Sequence, residues 1–313
     1  MHRRQFTRTL AAGAMALGIG KALSATTPVA EQPQVAITID DFNVSDAPEA
    51  EVIRRNRALL DALRSHSNLK AAAFVCGRRI DNELGRKVVR EWDSEGHIIG
   101  NHTYSHWYYH NRTFEQFSED TLRCEGLIKD YPQFRRLFRF PMLKEGNTAE
   151  RRDRMRAFLK EHGYKVGHVT IDASDWYVDE RLRARLAKDP KADVTGYQKF
   201  YLGHIADRAA YYDDLSRKAL GRSVRHTLLV HFNHLNGLFL DDLLRMFEHK
   251  GWKLISAEEA FADPVFSAQP NILPAGESII WALAKETGKF DKLLRYPGED
   301  GEYEKPAMDK LGL

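Results

Sequence analysis

Seven short apolar runs separated by longer amphipathic stretches constrain this chain more than any other feature of its sequence. The runs are VAITI (35–39), AAAFV (71–75), HIIG (97–100), LFRF (137–140), HVTI (168–171), LLV (228–230) and WKLI (252–255). Buried strands that alternate with helices form a parallel α/β layer or barrel, because each crossover covers one face of the sheet. The expected fold is therefore a single distorted (β/α) barrel of about seven strands over residues 33–264, within the usual barrel length. Residues 265–313, with one short helix around 276–290, read as a C-terminal extension packed on that barrel.

Helix signals fall between the runs. Thr113 with Gln116 makes a capping box, and Asn147 with Glu150 suggests a second start that ends at Gly163. The stretch 179–225 is long enough for two helices. Its aromatics Tyr197, Phe200, Tyr201, Tyr211 and Tyr212 read first as a core stripe and second as a sugar-stacking surface.

The amino terminus is of another kind. Adjacent Arg3 and Arg4 precede a mildly apolar run from Leu10 to Ile19 and then small residues, the pattern of a twin-arginine export signal over residues 1–25. A Sec-type leader or an uncleaved anchor are the alternatives. The run is shorter than the ~20 residues that span a bilayer. The expectation is an exported chain, periplasmic or secreted, with no transmembrane segment after processing. The net charge of +3 resides largely in that leader, and no Lys/Arg-rich tract elsewhere gives a nucleic-acid footprint. The two cysteines, Cys76 and Cys124, lie in apolar surroundings and read as packed thiols before a bridge.

The polar residues at the ends of the apolar runs point to chemistry. Asp40 and Asp41 come directly after the first, NHTYSH after the third, DASDW after the fifth and His231 after the sixth, while Arg139 lies within the fourth. Barrel enzymes gather reactive groups at the carboxyl ends of their strands, so these would meet at one mouth. His102 and His106, four apart, can turn two imidazoles toward one point, and a nearby carboxylate makes a three-ligand site with a position open for water, the catalytic rather than the structural arrangement. Two readings stay open on these residues alone. Histidines four apart also occur by chance, and paired aspartates also make turns and caps.

Taken in order, VAITIDDF, AAAFVCG, GHIIGNHTYSH, FRFPMLKEGN, DASDW and LLVH resemble the successive motifs of the polysaccharide deacetylase family, carbohydrate esterase family four, over about residues 35–260. The resemblance implies a hydrolase that removes acetyl groups from N-acetylated sugars of a poly- or oligosaccharide by attack of a metal-bound water. It assigns one divalent ion, zinc first and cobalt, nickel or manganese as alternatives, to Asp41, His102 and His106. Asp40 is then the general base, oriented by Arg139, and His231 the general acid, with Asp172 fixing its tautomer. His234 is a rival for the acid, and Asp175 a structural hydrogen-bonding group. Met142 supplies an oxyanion-hole amide where the family has Tyr, and Trp176 lines the acetyl pocket. The partner implied is an acetylated glycan. The alternatives are an O-acetyl esterase on xylan-like glycans, a non-haem iron oxygenase using the same three ligands, and a catalytically silent carbohydrate-binding protein.

Overall fold

A computed structural model describes residues 32–313 apart from residue 299. The export-signal reading of residues 1–25 lies outside the described residues. The strands are β1 (Gln34–Asp41), β2 (Ala72–Val75), β3 (Ile98–Asn101), β4 (Phe134–Phe138), β5 (Lys144–Gly146), β6 (Lys165–Val166), β7 (Arg225–His231), β8 (Lys253–Leu254) and β9 (Ala275–Gly276). A parallel path runs β6-β4-β3-β2-β1-β7, β8 joins the start of β1, and β5 pairs antiparallel with β9. Strands β2 and β3 are buried along their whole length, as expected where helices cover a parallel sheet.

The sheet curls because one segment touches both of its borders. Lys165 and Val166 pair with Leu137 and Phe138 of β4, and a few residues on Ile171 bridges Leu228 of β7. The expected distorted (β/α) barrel is thus the observed architecture. The run at 168–171 does not form the ladder strand expected for it. Thr170 and Thr227 exchange hydroxyl as well as amide bonds, with the Thr227 amide donating to Thr170 Oγ1 at 2.8 Å and Thr170 Oγ1 donating to the Thr227 carbonyl at 3.1 Å. Side-chain hydroxyls so add to a short backbone bridge in which the Ile171 amide donates to the Thr227 carbonyl at 3.0 Å and the Leu229 amide to the Ile171 carbonyl at 3.1 Å.

Helices pack outside. Glu49–Ser65 lies against His234–His249, and between their strands Phe42 stacks on Phe232 at 4.8 Å and meets Trp92 edge-on at 5.0 Å. The stretch 179–225 supplies most of the helix Asp175–Lys188 and all of Thr195–Leu220. Tyr197, Tyr201, Tyr211 and Tyr212 are buried on the latter, which makes them core and leaves the sugar-stacking alternative without support. The helix expected from Asn147 starts one residue later. Thr148 is its cap, its hydroxyl accepting from the Arg151 amide, and the helix is Ala149–Glu161. Thr113 makes the capping box expected of it.

Inside the barrel, Gly100 leaves the space that the Phe74 ring takes, since a Cβ there would lie 2.8 Å from that ring. Residues from 264 onward leave the barrel. They pass β9 along β5, form the helix Ile279–Thr287 against Thr195–Leu220, and return near residue 172. No helix of the described residues is long and apolar enough to cross a membrane. Cys76 and Cys124 are free and buried, and burial pushes the Cys76 thiol up to about 12.

Candidate metal and catalytic centre

Successive side chains of a strand point to opposite faces, so Asp40 and Asp41 can share a cavity only if β1 turns out of its extended course at its last residue, Asp41. It does. Asp41 has φ 82° and Phe42 φ 50°, and the Phe42 amide turns back to the Asp40 carbonyl at 3.1 Å. The turn after β3 is bent likewise. Thr103 and His106 have φ 61° and 55°, held by the Thr103 amide on Asn101 Oδ1 at 2.9 Å and the His106 amide on Thr103 Oγ1 at 3.1 Å. Met142 and Leu143 after β4 also have positive φ. Left-handed backbone of this kind costs on the order of 1–3 kcal/mol per residue and persists only where the surroundings impose it.

These breaks bring Asp41, His102 and His106 together, with one ligand atom from each within 4.8 Å of the others. His106 Nε2 is 3.0 Å and His102 Nε2 3.6 Å from Asp41 Oδ1. That oxygen is buried and accepts no hydrogen bond despite the short approach. His102 Nδ1 donates to the Arg139 carbonyl at 2.9 Å, which leaves Nε2 to face the cluster. Burial, with the neighbouring His106, holds His102 well below the usual imidazole range and so keeps it neutral, as a ligand must be. Burial raises the Asp41 carboxyl, but His106 and the Arg79 guanidinium outweigh it and hold it well below the carboxylate range. A buried carboxylate oxygen without a donor, beside two imidazoles, fits one divalent cation.

Asp40 sits beside this cluster, its Oδ2 3.7 Å from His102 Nε2. Arg139 Nη1 donates to Asp40 Oδ1 at 2.6 Å and to Thr38 Oγ1 at 2.8 Å, while its guanidinium lies over the Phe74 ring at 3.9 Å. Arg139 comes just after β4 rather than lying within it. Burial raises Asp40, Arg139 and His231 draw it back, and the balance stands at about 6.

His231 ends β7. Its Nδ1 donates to Asp175 Oδ1 at 2.8 Å and its amide to Asp175 Oδ2 at 2.9 Å. Asn233 and Asn236 also donate to Asp175 Oδ2, at 3.0 and 2.8 Å. Burial lowers His231, but the Asp175 carboxylate overrides it and raises the imidazole to about 9. The orienting role assigned to Asp172 is therefore corrected. Asp175, at the first turn of the helix Asp175–Lys188, faces β7, whereas Asp172 Oδ2 is engaged by the Gly298 amide at 2.5 Å. His234 is turned away from the cluster and meets Glu51 Oε1 at 3.0 Å.

A cavity of about 310 Å³ opens over these groups, lined by Asp40, Asp41, His102, His106 and His231 on one side. Phe140, Met142, Leu143, Leu229 and Trp176 form its apolar walls, and Asp172 and Gly298 complete it. Three roles escaped the sequence: that of Arg79 on Asp41, that of Asp175 on His231, since Asp175 was read only as a structural hydrogen-bonding group, and that of Gly298 in the wall. The pair of aspartates in DASDW was the available signal for the second. Nothing marked the other two.

The polysaccharide deacetylase family model matches residues 28–167, a stretch that carries Asp40, Asp41, His102, His106 and Arg139. Over that stretch, a little under half of its length, the chain is similar to the polysaccharide deacetylase family. A peptidoglycan-N-acetylglucosamine deacetylase of Bacillus cereus is 29% identical over 144 residues, 46% of each chain. The chain thus matches about half the length of that relative. A polysaccharide deacetylase structure from Bacillus cereus shares the fold at TM-score 0.50 and 19% identity, over 72% of this chain and 91% of its own. A peptidoglycan deacetylase structure from Bacillus subtilis gives 0.47 at 20% identity, over 74% and 92%.

Proposed function

We propose that this chain is a metal-dependent deacetylase that removes acetyl groups from N-acetylated sugars of a glycan, with a peptidoglycan-like polymer the first substrate to test. The observation that carries this reading is the meeting of Asp40, the Asp41/His102/His106 cluster and His231 around one cavity. The named activity of the Bacillus cereus relative supports the substrate class.

When bound, a divalent cation at Asp41, His102 and His106 supplies Lewis-acid chemistry, polarising a carbonyl and acidifying a neighbouring water; zinc suits this donor set. Asp40, at about 6, is ionised at neutral pH yet basic enough to take the proton of that water. Arg139 holds its carboxylate in place. His231, at about 9, carries the proton that the departing nitrogen needs, with Nδ1 fixed by Asp175 so that Nε2 faces the cavity. Both groups are pushed up, but one ends below neutrality and the other above it, which divides the base and acid roles between them. Met142, Trp176 and Leu229 line the cavity, which supports assigning the Met142 amide to the developing oxyanion and Trp176 with Leu229 to the acetyl methyl. Export through the Arg3–Arg4 leader suits a wall glycan, and a reporter fused after residue 25 tests it.

The deciding experiment measures acetate release from N-acetylglucosamine oligomers, peptidoglycan and acetyl-xylan by zinc-loaded protein. Release from the amides carries the proposal. Release from xylan esters alone makes the chain an O-deacetylase, and binding without release from any of them removes the enzymatic reading.

A further inference from the structure

The family match ends at residue 167, yet one wall of the cavity comes from the far end of the chain. Gly298 donates its amide to Asp172 Oδ2 at 2.5 Å, and its carbonyl accepts the Trp176 indole N–H at 2.9 Å. The approach leaves no room for a side chain. A Cβ at Gly298 would lie 2.5 Å from Asp172 Oδ1 and 2.7 Å from the Ala173 amide nitrogen, and one at Gly301 would lie 2.4 Å from the Tyr177 ring and 3.0 Å from the Trp176 ring.

Buried polar groups clamp this strap to the loop beneath. Arg208 donates to the Asp172 carbonyl at 2.8 Å and to the Tyr296 carbonyl at 2.9 Å. Glu304 accepts from Tyr296 Oη at 2.7 Å and from Ser174 Oγ at 3.3 Å, and its other oxygen lies 3.5 Å from His204 Nδ1. The Ser174 amide in turn donates to His204 Nε2 at 3.1 Å. Arg208 and Glu304 are almost wholly buried, so each unmade bond would carry a full desolvation cost. Asp175, by contrast, is held by β7 and the turn after it, independently of the strap.

Resting on the deacetylase reading, we propose that the strap made by Tyr296, Gly298, Gly301 and Glu304 is the specificity wall of the acyl pocket: it fixes Trp176 and Asp172 so that the pocket takes an acetyl group and rejects longer acyl groups. Glu304, Tyr296 and Gly301 are positioning residues that act through Trp176. They touch neither Asp40 nor His231, so their loss falls on substrate binding and acyl choice.

The test uses the zinc-loaded full chain on N-acetylated and N-propionylated glucosamine oligomers. Gly301→Ala and Glu304→Ala are expected to raise KM at least fivefold with kcat within twofold and zinc content unchanged, and to cut the acetyl-over-propionyl preference at least fivefold. Glu304→Gln, which keeps the acceptor for Tyr296 and Ser174, restores both. If Glu304→Ala does not fold, Tyr296→Phe removes a single hydroxyl and shifts KM and preference in the same sense. Unchanged KM and preference in variants that only melt earlier overturn the strap's role and leave the deacetylase reading intact. No acyl release by the parent protein, with zinc bound, overturns both.

Discussion

At the scale of single residues, the division of work proposed for two neighbouring aspartates rests on the backbone turning at Asp41, the last residue of β1. Asp40→Asn is expected to retain zinc and lose about 100- to 10,000-fold in acetate release, whereas His102→Ala loses zinc and activity together; zinc analysis beside a rate assay separates the two. Equal zinc loss in both variants would contradict the division of roles. The His231–Asp175 pair makes a prediction about pH. Asp175 raises the imidazole to about 9, so Asp175→Asn lowers it, deprotonates the acid at lower pH and moves the alkaline limb of kcat/KM toward neutrality. Asp172→Asn, at a carboxylate bonded to Gly298, leaves that limb in place. The sequence made Asp40, Asp41, His102, His106 and His231 legible because strand ends announce themselves as apolar runs that stop at polar groups. It misassigned the partner of His231 because Asp172 and Asp175 sit three residues apart in one motif, and only the onset of a helix after Ser174 decides which carboxylate faces β7.

At the scale of elements, the barrel supports the site through shape. The Phe74 ring fills the gap left by Gly100 and carries the Arg139 guanidinium on its face. Gly100→Ala is therefore expected to destabilise by about 1–3 kcal/mol through overpacking, read by chemical denaturation. It should also weaken the hold of Arg139 on Asp40 and lower kcat, while Gly126→Ala, where a Cβ meets nothing within 4 Å, does neither. Alternation of apolar runs and helices revealed the barrel, since period and length are local properties of sequence. The pairing of 165–171 with both borders of the sheet was not legible. Its β7 side is made by backbone and hydroxyl bonds from 170–171 to 227–229, residues that lie far apart in the chain and leave no periodic trace.

At the scale of the whole molecule, pH and metal both act on stability. His97 is buried, its Nδ1 accepts from the Ala71 amide at 3.1 Å, and burial, with Lys70 and Arg64 nearby, pushes it down to about 3. A group whose folded value lies below its unfolded one binds fewer protons when folded, so stability falls as pH drops from about 6.5 toward 3, by at most about 1.4 kcal/mol per pH unit from this group. His97→Asn should flatten that slope in urea titrations at successive pH values; an unchanged slope would assign it to the carboxylates. Zinc at a hundred times its dissociation constant should add about 2.7 kcal/mol to the parent and to Asp40→Asn but not to His102→Ala, measured as a shift in Tm. β1 is flanked by β7 along the whole of one edge and by β8 and then β2 along the other, and a fragment cut at residue 167, where the family match stops, would lack both later strands. Its central strand would offer a naked ladder of amides and carbonyls to any passing copy, so such a truncation should form insoluble aggregates although it retains all three proposed zinc ligands.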